Sequence, residues 1–415
     1  MPNNLKYKEY SSKYGKVFAL LVILSKVIRR TINSAYISFL RKTTELNEYA
    51  IVFSSSPDYS DNSKALSDYL LNQGYTTKYK IYWLVDDVEK HVHLYGKNEV
   101  EFIPRQTRIL KELSFKTIRV LMTSKYILST HSNRIPKRQG KSGQKYIYLW
   151  HGCGYKDNSK QVNGDDLFDF CLVPGPIFAK TKARFWNTSE NKFLPIGYPR
   201  YDWLKRPGIK ARQLYEQLKG GEKKVVIWMP TYRNVRFRNF RENSITQFPL
   251  MTDMQDWLKI DEVCADNQIR LLLKLHPIQK MYDIDFSVLK NIQIIAKDFF
   301  IKHHVEMYEF IALTDGLISD YSSIAVDYLI VDKPIAFTLD DYQQYKEKRG
   351  FVFDNPLDYM PGHHLYNIQD LTAFLHDISA GSDLYKSQRQ AMSDLAILQS
   401  DCYCRNIADK LGFVK

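Results

Sequence analysis

From residue 50 onward the hydrophobic positions fall into short blocks separated by polar, helix-patterned stretches. Blocks at 50–55 (Ala-Ile-Val-Phe-Ser-Ser), 80–85, 126–129, 145–150 and 170–173 have the length and β-rich composition of strands. Helical stretches at 62–73 and 107–122 lie between them, and this alternation predicts an α/β domain with a parallel sheet. Pro, Gly and charge then collect at 195–222, with Pro207-Gly208 and Gly220-Gly221, as expected of a hinge. A second alternating set follows. Its strands are predicted at 224–229, 269–275, 292–295, 316–319 and 334–338, and its helices near 252–266, 304–313, 322–331 and 368–378. Two such halves predict two Rossmann-like domains facing a cleft, 49–215 and 216–415, behind a separate segment 1–48.

That first segment reads differently. Residues 17–25 form one apolar run flanked by Lys13, Lys16, Lys26, Arg29 and Arg30. The run is half of the roughly 18–20 residues that a membrane-spanning helix needs. No small-residue cleavage site follows, which argues against a signal peptide. A basic amphipathic helix at an anionic membrane surface fits the pattern, and so does an ordinary docking helix with a solvated face. Charge sharpens the contrast. The 415-residue chain carries +13, and residues 1–45, with nine Lys/Arg against Glu9 and Glu45, hold +7 of it. Charge concentrated at one end favours a surface tether over a groove running along the whole fold.

Composition excludes several classes. With 44% hydrophobic and 25% charged residues, disorder and coiled coil are out. Five cysteines (Cys153, Cys171, Cys264, Cys402, Cys404) with no CxxC or Cys/His zinc spacing predict a reducing compartment and no structural metal. Neither GxGxxG nor GxxxxGK[ST] occurs, so dinucleotide and P-loop readings lack their fingerprints.

Four segments carry candidate chemistry. Tyr148-Leu149-Trp150-His151-Gly152-Cys153-Gly154 places a histidine just past a strand, where ligands of open α/β sheets sit. His151 there suits a general base, or else a loop-bonding histidine. Lys274-Leu275-His276-Pro277 repeats the arrangement, with His276 a phosphate donor or a structural turn residue. Ile318-Ser319-Asp320-Tyr321-Ser322-Ser323 leads from a strand into a helix, so its hydroxyls and amides either hold an anion or simply cap the helix. Met229-Pro230-Thr231-Tyr232-Arg233 also follows a strand. Arg233 is its candidate phosphate ligand, while Arg236, Arg238 and Arg241 read as a solvated loop.

Taken in order, these segments resemble the CDP-glycerol:poly(glycerophosphate) glycerophosphotransferases of teichoic acid and capsule synthesis. The matching elements are Asp61-Asn62-Ser63-Lys64, Trp150-His151-Gly152 with Lys156, Gly197-Tyr198-Pro199-Arg200-Tyr201-Asp202, Pro230 to Arg233 and His276-Pro277. They continue with Ser319 to Ser323 plus Asp327, Lys333-Pro334, and Arg349 to Asp354. The resemblance implies a two-domain fold of glycosyltransferase-B type. It also implies phosphoryl transfer: an acceptor hydroxyl attacks the β-phosphorus of a CDP-polyol and CMP leaves. His151 is then the base, and His276 and Arg233 face the pyrophosphate. Ser322 and Ser323 hold phosphates with Ser319 beside them, and Asp327 bonds ribose or polyol hydroxyls. Trp150, Gly152, Lys156, Asp202 and Arg349 are further site candidates.

The implied partners are a CDP-polyol donor, a lipid-linked or polyol-phosphate polymer acceptor and an anionic membrane surface, with no nucleic acid. The expected place is the cytoplasmic membrane face, as a peripheral, monotopic protein. No metal or other cofactor is expected, since Asp86-Asp87 is the nearest approach to a DxD pair and lies in the N-terminal half. His363 and His364 after Pro361-Gly362 depart from the family pattern and leave the polyol, glycerol or ribitol, open. A nucleotide-sugar glycosyltransferase and a non-catalytic binder of anionic polymer or RNA are the rival readings.

Overall fold

The computed structural model describes residues 16–96, 99–106, 112–131, 137–156, 167–230, 248–275 and 285–415. The chain divides into two units, one drawn from Met1–His151, Gly164–Leu172 and Cys404–Lys415, the other from Gly152–Asn163 and Val173–Tyr403.

In the first unit, β1 (Asn47–Ser54), β2 (Lys80–Val85), β3 (Val100–Pro104), β4 (Ser124–Ser129), β5 (Lys145–Tyr148) and β6 (Phe170–Leu172) lie in the order β3-β2-β1-β4-β5-β6. Every pairing among them is parallel. Ala50 to Phe53 are buried without alternation, as a central parallel strand covered on both faces requires. The chain moves outward from β1 to β3, then returns to β4 on the other side of β1, which makes β1/β4 the switch point.

Strand β3 has no counterpart in the sequence reading. Glu101 and Pro104 interrupt its apolar run, and both are tolerated because β3 is an edge strand, with Glu101 paired to Lys80 (3.4 Å) and Lys116 (2.8 Å). The helix expected at 107–122 is Phe115–Thr123, since Ser114 caps it by accepting the Thr117 amide at 3.0 Å; 107–111 lie outside the described residues.

A helix at Lys16–Thr43 precedes β1. Among the described residues of this helix, Asn33, Ile37 and Leu40 in its second half are buried, with Ile37 and Leu40 packing among Val52, Leu84 and Ile118. Arg29 lies over the Phe115 ring at 4.2 Å, and Arg30 pairs with Glu112 at 2.8 Å. Val17, Leu20, Leu21, Leu24, Val27 and Ile28 are each at least half exposed. Among the described residues no helix is long and apolar enough to cross a membrane.

The second unit holds the short β7 (Phe193–Leu194) and a six-stranded parallel sheet. Its strands are β8 (Lys224–Trp228), β9 (Ile269–Lys274), β10 (Ile292–Ile295), β11 (Gly316–Ser319), β12 (Ile335–Thr338) and β13 (His363–Leu365), in the order β10-β9-β8-β11-β12-β13. Its switch point is β8/β11. Trp228, Trp257, Leu271, Leu273 and Phe374 fill the core between sheet and helices. Pro207-Gly208 and Gly220 bracket a helix, Ile209–Lys219, within this unit; Gly220 ends it at φ +62°, a backbone state that glycine adopts without strain. All five cysteines are buried, and none forms a disulfide.

Candidate active site

In the first unit the loops beyond the carboxyl ends of β1, β4 and β5 build one cluster around His151. Leu149 continues β5 by donating to the Ser129 carbonyl at 2.8 Å. The next residue, Trp150, turns into the left-handed region (φ +54°), a conformation costing an L-residue roughly 1–2 kcal/mol. Asn62, fully buried on the helix Asp61–Asn72, offsets that cost by donating its side-chain amide to the carbonyls of Trp150 (2.8 Å) and Leu149 (3.2 Å). The Asp-Asn-x-Lys element therefore shapes the Trp-His-Gly turn from 88 residues away.

This turn leaves His151 exposed while Trp150 is buried. Nδ1 of His151 lies 3.2 Å from the Thr130 carbonyl oxygen. A carbonyl only accepts, so Nδ1 carries the proton, which makes Nε2 the basic nitrogen of the neutral ring. His131 stacks on the same ring, centroids 4.7 Å apart and planes 8° apart, and Trp150 lies 4.0 Å away, centroid to centroid. His131 was missed in the sequence, although the rule that found His151, a histidine just past a predicted strand, applies equally to Ser129-Thr130-His131.

In the second unit the remaining described motifs converge. Gly152 has φ +133°, and a Cβ there would lie 2.4 Å from Ser323 Oγ and 3.1 Å from Arg200 Nη2. A Cβ on Gly154 would lie 2.7 Å from the Ser323 backbone nitrogen. Both glycines thus exist to let this segment lie directly against Ser322-Ser323. A prediction follows from the contact. Gly152→Ala should lose roughly 1–3 kcal/mol to backbone strain and overlap, read as a lowered melting temperature together with reduced turnover.

Beyond Gly154, Lys156 forms an antiparallel bridge with Phe351, and Val352 donates to the Tyr155 carbonyl at 2.9 Å. Phe351 packs on Tyr321 (5.0 Å), whose hydroxyl donates to Asp341 at 2.9 Å. Arg349 closes the preceding helix Tyr342–Lys348, its amide bonding the Tyr345 carbonyl at 2.9 Å. Ser319, fully buried at the end of β11, donates to the Met229 carbonyl beyond β8 at 3.0 Å, which fastens the switch point. Ser322 and Ser323, partly exposed, open a helix of only six residues, Ser323–Tyr328, shorter than the run expected to 331. Its dipole is correspondingly small, so the hydroxyls and loop amides matter more.

Asp327 is fully buried, and its carboxylate faces protein donors: Arg200 Nη2 at 2.6 Å, Tyr201 hydroxyl at 2.7 Å and Tyr308 hydroxyl at 3.1 Å. Burial, reinforced by this carboxylate, pushes the Tyr201 phenol well above its ordinary pKa, so it stays a donor. Asp202 is likewise engaged inside the protein, accepting the Tyr403 amide at 2.7 Å. Arg200, quoted in the sequence only as part of a motif, is 1% exposed and is the cation at the centre of this network. Cys153, buried and with its thiol pushed up by burial, is no nucleophile.

His363 and His364, which depart from the family pattern, both contact groups within the second unit. Strand alternation turns His363 towards the helix Ile368–Ala380, with Asp377 at 3.4 Å and Phe374 and Tyr385 around its ring, and His364 Nε2 contacts the Met360 carbonyl at 3.0 Å. His276 and Arg233 lie outside the described residues, two positions past β9 and a few past β8 respectively. Among the described residues no three His, Cys, Asp or Glu side chains are grouped as a metal site.

Known proteins match this architecture. The family model of CDP-glycerol:poly(glycerophosphate) glycerophosphotransferase matches residues 35–406. The teichoic acid glycerol-phosphate transferase of Staphylococcus aureus is 27% identical over 404 residues, covering 88% of this chain and 94% of that protein. The teichoic acid ribitol-phosphate primase of Bacillus spizizenii is 26% identical over 310 residues, 69% of this chain and 72% of its own. Among solved structures, the wall teichoic acid polymerase TagF shares the fold with a TM-score of 0.71 at 20% identity, over 96% of this chain and 98% of that one. With nine-tenths of its length inside the family model and its motifs in family order, this chain belongs to the CDP-glycerol:poly(glycerophosphate) glycerophosphotransferase family and is a glycerophosphotransferase.

Proposed function

We propose that the protein transfers glycerol phosphate from CDP-glycerol to a hydroxyl of a lipid-linked or polyol-phosphate acceptor in teichoic acid synthesis, with His151 as the general base. The observation that carries this reading is the exposed His151 ring just past β5, whose Nδ1 lies 3.2 Å from the Thr130 carbonyl oxygen, so that the neutral ring carries its proton on that side. The acceptor hydroxyl gives its proton to Nε2 as its oxygen bonds the β-phosphorus, and the bond to the CMP oxygen breaks. Ser322 and Ser323 hold donor phosphate oxygens, and His276 and Arg233 neutralise charge on the pyrophosphate. Asp327 acts through Arg200 and the tyrosines to hold Gly152 and Ser323 in contact, a positioning task in place of the ribose contact expected from the motif.

The test is CMP release by the purified protein with EDTA present, offered CDP-glycerol and CDP-ribitol separately with a short polyol-phosphate acceptor. Acceptor-dependent CMP from CDP-glycerol, lost in His276→Ala and Arg233→Ala, supports the reading. Turnover of CDP-ribitol alone, the donor class suggested by the name of the Bacillus spizizenii relative, replaces glycerol by ribitol.

The Lys16–Thr43 helix adds a place of action at the cytoplasmic membrane face. Its exposed Leu20, Leu21 and Leu24 share one side of the helix, with the basic Lys26, Arg29 and Arg30 on the turns that follow, a combination of apolar and basic side chains that anionic lipid attracts. Replacing Leu20, Leu21 and Leu24 with serine is expected to lower sedimentation with anionic vesicles at least tenfold while CMP release in solution is kept. Unchanged sedimentation removes the membrane role.

A further inference from the structure

A second histidine stands at the switch point of the first sheet, where ligands of such sheets are bound. Strands β4 and β5 end in register, Ser129 opposite Tyr148, and His131 follows β4 by two residues. Its half-buried ring lies nearly parallel to that of His151, centroids 4.7 Å apart. Thr130 fixes which way the His131 ring is turned. Thr130 is fully buried, and among the described residues its hydroxyl has one partner, His131 Nδ1 at 2.9 Å. A flip of the His131 ring would put a carbon in that place and leave a buried hydroxyl unbonded. The same accounting assigns the tautomer. The hydroxyl either accepts from Nδ1–H or donates to a bare Nδ1, and only the second gives its own proton an acceptor. The neutral His131 ring therefore carries its proton on Nε2. Burial keeps the ring neutral by pushing its imidazole below the ordinary value, with Asp61 opposing and Arg105 adding to the effect.

We propose that His131 is an acceptor-binding residue: its Nε2–H donates to the oxygen of the hydroxyl on the carbon next to the one whose hydroxyl attacks. This rests on the reading of the cluster as the acceptor side and deepens it, because it names the feature recognised, a vicinal diol. Both Nδ1 atoms face Thr130, that of His131 its hydroxyl and that of His151 its carbonyl at 3.2 Å, so both rings turn their other edges away from that buried residue. One ring offers an N–H there and the other its basic nitrogen. Two oxygens on adjacent carbons are close enough for neighbouring rings to meet both, each at about 2.9 Å. A neutral imidazole suits a hydroxyl oxygen, whereas a phosphate is better met by a fixed cation. Arg105, the cation that acts on this ring, is itself engaged by Asp58 at 2.6 Å and by the Ser55 carbonyl at 2.5 Å. Held by its second hydroxyl, the acceptor brings the attacking one to the base in a single orientation.

The test compares two acceptors, a short glycerol-phosphate oligomer ending in a 1,2-diol and the same oligomer with the secondary hydroxyl of its last unit replaced by hydrogen. Isothermal titration without donor gives the acceptor Kd for the full-length parent, His131→Phe and His151→Ala. CMP release gives kcat and both KM values, and circular dichroism melts confirm folding. The parent should bind the diol roughly 3–10-fold more tightly than the deoxy acceptor. His131→Phe, which keeps a stacking ring and lacks the N–H, should bind the two alike, with the donor KM unchanged. A parent that binds the two alike overturns the proposal, and so does a folded His131→Phe that still prefers the diol. His151→Ala should keep the preference and lose turnover. A His151→Ala protein without the preference gives the diol contact to His151 and overturns the proposal as well. One that keeps both preference and turnover removes the base assignment and leaves the His131 contact standing.

Discussion

His151→Ala should reduce acceptor-dependent CMP release by roughly 10²–10⁴-fold, the usual contribution of a positioned general base, without lowering the melting temperature. The second half of that expectation follows from burial. His151 is exposed, and the hydrogen bonds that fold its turn come from Asn62 to the Leu149 and Trp150 carbonyls, none of which the substitution touches. The loss should fall on kcat, because in the proposed mechanism other groups hold the donor and His151 takes only the acceptor proton. His151→Gln, which keeps a polar side chain and cannot accept the proton at neutral pH, should be nearly as inactive. A variant that turns over at the parent rate in the presence of acceptor sinks the assignment.

Asp327→Ala should produce the largest loss of stability of any single substitution among the candidate residues. Removing one partner of a buried ion pair typically costs about 3–5 kcal/mol, because the other charge stays in a low-dielectric interior. Here the remaining charge is Arg200, 1% exposed, which loses its carboxylate partner at 2.6 Å, and the Tyr201 and Tyr308 hydroxyls lose an acceptor as well. Arg200 Nη2 also lies where a Cβ on Gly152 would be 3.1 Å away, so relaxation of the guanidinium disturbs the contact between Gly152 and Ser323. Activity should therefore fall together with the denaturation midpoint. Asp327→Asn, which retains an acceptor oxygen and the volume, should recover part of the stability. An Asp327→Ala protein with parent stability and a raised donor KM alone would return Asp327 to direct substrate contact.

Much of the fold was legible because parallel sheets bury central strands on both faces. Residues 225–229 and 271–273 are uninterrupted apolar runs at the centre of the blocks 224–229 and 269–275, which appear as β8 and β9 within one residue of the expected ends. The edges were harder to read. Strand β3 carries Glu101 and Pro104, and the three-residue β13 begins with two histidines, so neither shows a run. Helix lengths were overread where a cap or turn intervened, as at Ser114 and after Tyr328.

The site divides along a similar line. His151, Gly152, Ser322 and Ser323 could be named from strand-end position and motif order, because local chemistry and local conformation coincide there. What those residues touch is long-range. Asn62 reaches Trp150 across 88 positions, Arg200 reaches Asp327 across 127, and Lys156 bridges to Phe351. From the sequence, Asp327 read as a donor ligand since an aspartate one turn into a helix looks the same whether it faces substrate or a buried arginine. Only packing distinguishes the two, by placing Arg200, Tyr201 and Tyr308 around it.

By itself the sequence determined the class of element at most positions, the two α/β halves and the family, since periodicity, propensity and motif order are local properties of the chain. The tertiary structure decided which candidates meet. It set His131 against His151, packed His363 against Phe374, and made the Asp327 carboxylate an internal partner of Arg200. These outcomes depend on strand order, register and which face a side chain occupies, and a one-residue change of face reverses each of them without altering the local pattern from which the elements were read.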